Sequence, residues 1–527
     1  MRTALALGGV AVFALYGWNL GHAPIYLHDA EILFALHAHS IATSAHDTNG
    51  RLLPLYLQMP SIGENVWFHP AVVYFTAPFL RVLPLSEWTV RLPSVCIGVI
   101  DVVLMYFIAK RIFKSDRFAL LAAALLALTP AHFIHSRLAM DYLYPVPFVM
   151  AWLLCLLIFL ERGRLGILFL ATSFLGVGFY SYIASVVMMP VYLLVTCVAV
   201  WATSSRPLRS CLVAVSGFVW PLVLLVWIVF HPAVLAQTLG RYQVGEPIAS
   251  AGMSHLSLAE MLEALRRSAR FSGITGRISL YWYFFDPSYL FLTGGYANVV
   301  NSTRHVGVFL LPFLLFVPVG FARMVADHRA VDLIVLFGFL SAPLAACLVV
   351  PEPYAIDREL ALLPFAVLIA TRGVQALFAA RHRVWRMAAV CALAIVPLHF
   401  AFFCVDYFGD YRLRSAFWFE WNHRDAFELV IDRESRDRLP AVYISTDQTP
   451  YIDAYWRFYL IKHGREALLD RTVYFTGQTL NLETVAPKSL MVVGPRDAEI
   501  LVASGRLRRI ASIPEPADPP FFSVWER

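Results

Sequence analysis

Charge is scarce in this sequence. Asp, Glu, Lys and Arg make up 15% of its 527 residues, whereas soluble domains carry about 25% charged residues. Apolar residues account for 59%, so an ordinary soluble protein is excluded and a multi-pass membrane protein is predicted. The net charge of +6 divides into +8 on residues 1–404 and −2 on residues 405–527. That division is typical of basic membrane loops and argues against a nucleic-acid partner.

Cysteine is also scarce, and the long polar segments lack it altogether. All seven cysteines lie within or at the edge of hydrophobic segments. A disulfide framework or a cysteine-based zinc site would need cysteines at suitable spacing in the polar loops, so neither is predicted. The sequence contains no internal repeat and no low-complexity segment.

Long hydrophobic runs fill the first three quarters of the chain. A membrane span needs roughly 17–25 mostly apolar residues. The first run resembles a signal peptide, but no convincing small-residue cleavage site follows it, so it is interpreted as a retained span. A further apolar stretch, 70–85, is short and broken by prolines, which favours a helix at the membrane interface. The eleven predicted spans are 4–20, 90–109, 118–134, 145–160, 165–182, 183–201, 210–230, 305–322, 331–350, 359–378 and 385–404.

The connections between these spans alternate in character. One set is short and rich in Lys or Arg, and the positive-inside rule places it in the cytoplasm. The N-terminus is then cytoplasmic and the tail lies on the outer side of the membrane. Two outer connections, 21–89 and 231–304, are unusually long, and loops of this length usually have a function. The basic connections are 110–117, 161–164, 203–209, 322–329 and 379–386.

The last quarter of the chain has an ordinary soluble composition. Residues 405–527 hold 34 charged residues, against 44 in the much longer segment 1–404. Strand-like runs alternate there with helical patterns, which predicts a small α/β domain. The predicted fold is therefore an α-helical polytopic membrane domain, 1–404, followed by an outer-face α/β domain, 405–527. The predicted strands are 441–446, 472–477 and 489–494.

Two carboxylates follow the first predicted span, in the stretch 26-YLHDAEILFALHAH-39. In the first interpretation, Asp29 and Glu31 both face water and are ordinary solvated carboxylates at the membrane interface. Alternatively, one of them is a general base, because partial desolvation beside apolar residues raises the pKa of an acid toward the working range. Residues two apart do not share a helix face, so the two acids would have separate roles.

Further polar residues stand on the predicted outer face. His69, directly before Pro70, is either a solvated loop histidine or a hydrogen-bond donor to a phosphate or sugar. Arg137 and Asp141 lie four residues apart in a short turn between spans, a spacing that suits a structural ion pair. An arginine that lines a cavity would also clamp a phosphate, because its planar fork binds two oxygens.

An aromatic-rich segment, 281–309, precedes another predicted span. It suits an aromatic belt at the membrane interface. Aromatic faces also stack on sugar rings, which suits a saccharide site that includes Tyr289, Arg304 and His305. Arg358 opens a later span and is either a snorkelling anchor or a cation that meets a lipid phosphate at headgroup level.

Five motifs in residues 1–404, taken in order, resemble the GT-C superfamily of membrane glycosyltransferases. The resemblance is nearest to bacterial members similar to the protein O-mannosyltransferases and the lipid A aminoarabinose transferases. The sequence departs from the family pattern at two points. Ala30 separates two acids that are more commonly adjacent, and His69 replaces a lysine often found before that proline. The motifs are HDAE, FHPAVVYFTAPFLRVLPLSEWTVRLPS, TPAHFIHSRLAMD, DPSYLFLTGG with RHVGVF, and DRELALLPFAVLIATRGV.

The resemblance implies a polyprenyl-phosphate-sugar donor, a glycan, lipid or protein acceptor, and an active site on the outer face. Asp29 would take the proton from an acceptor hydroxyl, with Glu31 as a supporting or alternative base, through an oxocarbenium-like transition state. Preplaced positive charge would stabilise the departing phosphate. One base and one leaving phosphate imply a single displacement with inversion, and the scheme requires no metal ion or other cofactor. The residues assigned to the donor phosphate and sugar are His69, Arg137, Asp141, Tyr289, Arg304, His305 and Arg358.

Two other functions stay open. An oligosaccharide ligase or polymerase can share the GT-C topology, so the sequence does not separate it from a transferase of single sugars. A lipid-linked sugar flippase or transporter would show inverted repeats and helices broken at mid-membrane, and the sequence shows neither.

Overall fold

A computed structural model describes the protein over most of its length. The predicted long connection 231–304 falls largely outside the described residues. These are 2–58, 67–231, 279–295, 299–349, 352–447, 449–476, 479–480, 482–503 and 507–527, together with 234, 277 and 505.

The chain folds into two compact units, and neither is continuous in sequence. The first unit contains most of the hydrophobic helices. The second unit joins the tail to two segments near the N-terminus. The first unit is 1–18, 67–72 and 94–406, and the second is 19–66, 73–93 and 407–527.

Hydrophobic helices dominate the structure, which confirms the predicted helical membrane fold. Among the described residues, seven helices are long and apolar enough to cross a membrane. Each corresponds to one of the eleven predicted spans, and the other four predicted spans are shorter helices. The seven are Glu87–Phe113, Asp141–Arg162, Ser185–Thr203, Pro207–Leu225, Ala330–Leu348, Leu362–Ala379 and Arg383–Arg414. The four are Arg2–Gly17, Asp116–Ala127, Leu165–Gly178 and Phe313–Asp327.

Shorter elements connect or flank these helices. The predicted interfacial segment is the helix Ala71–Val82, and the acidic stretch forms the helix Asp29–Ser44. Other α-helical pieces are Pro130–His135 and Val226–Val229. Short 3₁₀-helices are Asp141–Leu143, Leu280–Phe285, Ile356–Arg358 and Ala416–Phe419. Short π-helices are Tyr289–Thr293 and Tyr407–Tyr411.

Two glycines let helices of the first unit pack backbone to backbone. A Cβ atom on Gly320 would collide with the carbonyl oxygen of Ile369, and one on Gly373 would collide with that of Phe316. The helices Phe313–Asp327 and Leu362–Ala379 therefore approach more closely than larger residues would allow. Small residues at such crossings are the usual means of helix association in membranes, where van der Waals contact replaces the hydrophobic effect.

A buried polar chain runs through the first unit. The Tyr16 hydroxyl lies 2.8 Å from Nδ1 of His132, and Nε2 of the same ring lies 3.3 Å from Oδ2 of Asp101. Tyr16 also donates to the carbonyl oxygen of Ala127 at 3.0 Å. All three side chains are fully buried. The carboxylate inside the span Glu87–Phe113 thus has a histidine partner that sequence spacing alone does not identify.

The strands of the structure are β1 Leu57–Gln58, β2 Trp67–Phe68, β3 Val442–Ser445, β4 Thr472–Phe475, β5 Leu490–Val493, β6 Arg508–Ser512 and β7 Ser523–Glu526. The tail contains the predicted small sheet domain, but its sheet has five strands and the sequence predicts three of them, β3, β4 and β5. The strand order is β4-β3-β5-β7-β6. β3, β4 and β5 are parallel, with Val442 opposite both Thr472 and Leu490, whereas β7 runs antiparallel to β5 and β6. The tail helices are His423–Asp437, Ile452–His463, Glu466–Arg471 and Pro495–Ala503.

Candidate functional site

The acidic motif lies at the start of a helix in the second unit. The helix begins at Asp29, and His28 precedes it in an extended conformation. The carboxylate of Glu31 reaches back and accepts a hydrogen bond from the backbone N–H of His28 at 3.0 Å. This is the return bond of a capping box, which satisfies a backbone donor that the first helical turn leaves open.

Glu31 is fully buried and bound to Arg91. The Nε and Nη2 atoms of Arg91 donate to its two carboxylate oxygens at 2.8 and 2.9 Å. The remaining donors of Arg91 bond to the carbonyl oxygens of Leu20, Pro24 and Tyr26 at 3.1, 2.9 and 2.6 Å. All five N–H groups of this guanidinium are therefore engaged, and the pair fixes the loop that leads into the helix.

Asp29 has a different environment. Its side chain keeps 21% of its surface exposed and contacts the ring of His28. Burial raises the pKa of Asp29, but the charge and hydrogen bond of His28 and the N–H of Ala30 outweigh this and lower it. Burial lowers the pKa of His28, but nearby acids, Asp29 first and then Glu420 and Glu31, raise it above its ordinary value. Asp29 is therefore an ionised, partly accessible carboxylate at neutral pH, and the raised pKa that the sequence analysis expects of a general base is not found at this residue.

Tail residues of the same unit pack around this motif. The Tyr455 hydroxyl donates to the carbonyl oxygen of Leu27 at 3.0 Å, and its ring stacks on His423 with centroids 4.0 Å apart. Burial and the charge of Asp29 raise the pKa of Glu420. Sequence reasoning missed Tyr455 and Glu420, because they lie about 400 residues from the motif.

A second polar cluster lies in the first unit around Asp357. This buried side chain accepts hydrogen bonds from the Tyr182 hydroxyl at 3.4 Å and from the Asn301 amide at 3.3 Å. Arg358 lies 3.7 Å from Asp357 and 3.3 Å from Glu352. Burial raises the pKa of Asp357, and the charge of Arg358 only partly offsets that effect.

Glu359 is the other acid of this cluster. It precedes the helix Leu362–Ala379 and is fully buried. The Tyr289 hydroxyl donates to its Oε1 atom at 2.7 Å. Burial raises the pKa of Glu359 well above the ordinary value, and the hydrogen bond from Tyr289 lowers it only in part. The geometry therefore favours a neutral carboxylic acid at this position.

The structure brings three of the predicted residues into this cluster. Asp141 begins the short helix Asp141–Leu143, which packs against Ile356–Arg358. Its charge acts on the Tyr182 hydroxyl together with that of Asp357. Asp141, Tyr289 and Arg358 thus belong to one polar neighbourhood. The signal that could have revealed its other members is the acid-rich sequence Asp357-Arg358-Glu359 itself.

The other four predicted residues have separate surroundings. Arg137 donates to the carbonyl oxygen of Trp18 at 2.7 Å and to that of Tyr16, and its guanidinium lies over the ring of Phe133. These contacts hold the end of the helix Arg2–Gly17. His69 is buried shortly before the helix Ala71–Val82.

Arg304 and His305 lie in an irregular segment of the first unit. Arg304 adopts a left-handed backbone conformation with φ 62°, and its N–H donates to the Ser302 hydroxyl at 3.0 Å. Nδ1 of His305 lies 3.2 Å from Oδ1 of Asp406. Within the part of the chain that the structure describes, no group of three or more His, Cys, Asp or Glu side chains is arranged to hold a metal ion.

One stretch of the sequence and the fold of the chain resemble those of known membrane glycosyltransferases. Residues 69–234 match a family model described as dolichyl-phosphate-mannose-protein mannosyltransferase. This match and the structural likenesses that follow confirm the resemblance to the GT-C superfamily and the multi-pass membrane architecture. No curated protein matches the sequence.

Two structures of ArnT from Cupriavidus metallidurans share the fold over almost the whole chain. The apo structure has a TM-score of 0.62 and 14% identity, and the likeness covers 99% of this chain and 98% of ArnT. The structure of ArnT bound to undecaprenyl phosphate has a TM-score of 0.57 and 12% identity, with 100% and 98% covered. At these identities the likeness is one of fold.

A more distant likeness links the chain to an oligosaccharyltransferase from Archaeoglobus fulgidus. That crystal structure, a complex with zinc and sulfate, has a TM-score of 0.50 and 14% identity. The likeness covers 89% of this chain but 61% of the archaeal protein. The shared part is therefore the common architecture, and the archaeal protein has further regions of its own.

Proposed function

We propose that the protein is an inverting glycosyltransferase that moves one sugar from a polyprenyl-phosphate donor to an acceptor hydroxyl on the outer face of the membrane. The GT-C fold, the matched family segment and the likeness to ArnT, which has been seen with undecaprenyl phosphate, support this proposal. The observation that carries it is the contrast between an accessible, ionised Asp29 and a buried, ion-paired Glu31 at the same helix start.

Asp29 acts as the general base in this proposal. Its carboxylate takes the proton of the acceptor hydroxyl while that oxygen bonds to the anomeric carbon. The bond from the anomeric carbon to the phosphate oxygen breaks in the same step, and the lipid phosphate leaves with the electron pair. Because the acceptor enters opposite the leaving group, the anomeric configuration inverts, as with a single displacement in glycoside hydrolysis.

Glu31 supports the base and does not replace it. Both of its oxygens accept hydrogen bonds from Arg91, and one also accepts the N–H of His28. A carboxylate that is fully buried and charge-paired would lose this stabilisation on taking a proton. We therefore assign Glu31 to holding the helix start on which Asp29 stands, which makes it a positioning residue.

The departing phosphate needs a cation that is in place before the reaction. We propose Arg358 for this role, because its guanidinium is fixed by Glu352 and Asp357 at the edge of a polar cluster. Neutral acids beside it would donate hydrogen bonds to phosphate oxygens without repelling them, and burial favours that state for Asp357 and Glu359. His69, Arg304 and His305 stay candidates for the donor sugar or phosphate.

The test is transfer from polyprenyl-phosphate pentoses and hexoses by the purified protein in detergent. We expect Asp29→Asn to lower kcat by about 10²–10⁴-fold, the usual contribution of a general base, and Asp29→Glu to retain part of the activity. Asp410→Asn is the matched control, since Asp410 is an exposed carboxylate in the same unit. Asp29→Asn turnover near that of the control, or a product with retained anomeric configuration, contradicts the proposal.

A further inference from the structure

A second concave site lies at the basic end of the first unit. It is a cavity of about 270 Å³, close to the lower limit of ordinary ligand pockets. Three cations line it, Arg111, Lys114 and Arg329, together with Glu161 and apolar side chains that include Leu157 and Leu160. None of these residues belongs to the motifs assigned to sugar transfer.

Positive charge exceeds negative charge in this cavity. Arg111 and Lys114 share one carboxylate, that of Glu161, at 2.5 and 2.6 Å. The Lys114 side chain is 70% exposed, so its charge is accessible to an incoming anion. Arg329 binds Asp332 through Nε and Nη2, both at 2.6 Å, and its Nη1 atom is not part of that pair. An incoming anion would meet three cations that are only partly neutralised.

The position of the cavity indicates what kind of anion it suits. Its walls are the last turns of Glu87–Phe113 and Pro145–Arg162 and the first turn of Ala330–Leu348, which are hydrophobic helices that end there. Leu157 and Leu160 continue the wall along one of them. A free phosphate ion gains nothing from such a wall, whereas an amphiphile fits both the cations and the leucines.

We propose that this cavity binds the phosphate headgroup of an anionic phospholipid, with an acyl chain along the leucine wall. Basic pockets between membrane helices on the cytoplasmic side are suited to acidic lipid headgroups. The cavity includes residues of three connections that the positive-inside rule assigns to the cytoplasm. The inference does not depend on the proposed sugar transfer, so either can fail alone.

The experiment is lipid binding to the delipidated full-length protein. Native mass spectrometry would count dioleoyl-phosphatidylglycerol molecules that stay bound, with dioleoyl-phosphatidylcholine as the neutral probe. We expect the triple variant Arg111→Gln/Lys114→Gln/Arg329→Gln to bind phosphatidylglycerol at least tenfold more weakly. The matched control is Arg206→Gln/Arg209→Gln/Arg383→Gln, which removes the same charge from exposed sites on other basic connections.

Equal loss of lipid in the control would show that net charge alone attracts the lipid and would overturn the proposal. Equal retention of phosphatidylcholine would overturn it as well. Displacement of phosphatidylglycerol by a stoichiometric amount of inorganic phosphate would mean that the site takes a free anion, which contradicts the lipid assignment.

A second variant changes binding in the opposite direction and guards against misfolding of the triple variant. Glu161→Gln removes the carboxylate that Arg111 and Lys114 share, so both cations become available to the headgroup. We expect tighter retention of phosphatidylglycerol by about threefold or more, from the loss of one competing charge. Unchanged or weaker retention in Glu161→Gln would refute the site.

Discussion

Two stretches of this protein share an acid-x-acid pattern and behave oppositely. In the second unit, Asp29-Ala30-Glu31 starts a helix, the pKa of Asp29 is lowered and Glu31 is held by Arg91. In the first unit, Asp357-Arg358-Glu359 precedes a helix, and the pKa values of both acids are raised. Burial raises the pKa of Asp29, Asp357 and Glu359 alike, so the partners decide the outcome.

The partners differ in charge. Glu31 faces a complete guanidinium, and Asp29 adjoins a histidine whose own pKa is raised. Glu359 accepts from a phenol, and Asp357 accepts from a phenol and an amide while Arg358 divides its charge with Glu352. The first stretch is thus matched by cationic partners, whereas the second has mainly neutral hydrogen-bond donors, which favours protonated acids there.

The largest effect on stability is expected when one member of the Glu31–Arg91 pair is removed. Breaking a buried ion pair leaves an uncompensated charge and costs about 3–5 kcal/mol. We expect Glu31→Gln and Arg91→Met each to lower the free energy of unfolding by this amount, measured by chemical denaturation in detergent. The double variant Glu31→Met/Arg91→Met should recover part of the loss.

The control for this prediction is Arg508→Met. Arg508 pairs with Glu526 at the exposed edge of the tail sheet, and exposed pairs contribute about 0–1 kcal/mol. If Arg91→Met proves no less stable than Arg508→Met, the buried pair does not hold the loop before Asp29, and the role given to Glu31 fails with it.

The next prediction tests the other acid-x-acid stretch. Tyr289→Phe removes the hydroxyl that donates to Glu359, and an unsatisfied buried acceptor costs about 1–3 kcal/mol. Glu359→Gln keeps an oxygen acceptor and matches a neutral acid, so we expect a change of less than about 1 kcal/mol. Thermal unfolding at pH 7 would compare the two variants.

The contrast between Glu359→Gln and Glu31→Gln is the informative measurement. Substitution of Glu by Gln should hardly change the free energy of unfolding at Glu359 and should lower it strongly at Glu31, because only Glu31 neutralises a buried cation. Equal losses in both would mean that Glu359 is ionised and charge-paired, and the difference drawn between the two stretches would not stand.

Much of the fold follows from local sequence. All eleven hydrophobic segments are helices, because long apolar runs have few alternatives in a membrane. The strands β3 and β5 are central and fully buried, and β4 is an apolar strand at one edge, so all three are recognisable in the sequence. The strands β6 and β7 were not predicted, since Arg508–Ser512 carries two arginines on an edge and lacks alternation.

The candidate site was predicted only in part, for a physical reason. Its acids and cations are visible in the sequence, but their partners are distant. Arg91 lies 60 residues from Glu31 and Glu359 lies 70 residues from Tyr289. One local signal separates Asp29 from Glu31, namely their positions in the first helical turn. The third helical residue, here Glu31, can reach back to the N–H of the cap residue, whereas the first, Asp29, does not take part in that bond.

The prediction with the smallest effect tests whether the partners of an acid, and not the unit in which it lies, set the direction of its pKa shift. Glu515 lies in the second unit with Asp29, but its described partners are neutral: the N–H of Asn422 at 2.8 Å and the Tyr26 hydroxyl at 3.3 Å. The pKa of Glu515 is raised from 4.5 to about 7; burial is the largest cause, Asp518 and Asp425 add to it, and the two hydrogen bonds lower it only in part.

A raised pKa in the folded state gives a definite sign. The folded protein holds the Glu515 proton between pH 4.5 and about 7, whereas the unfolded chain has released it, so stability falls as pH rises through this window. Because the side chain is partly exposed, we expect a loss of about 1 kcal/mol. Unfolding of wild type and Glu515→Gln from pH 5 to 8 would show it, as the variant should lack this component. An identical pH dependence would mean that Glu515 is ionised throughout, and neutral partners would then not suffice to raise the pKa of a carboxylic acid in this unit.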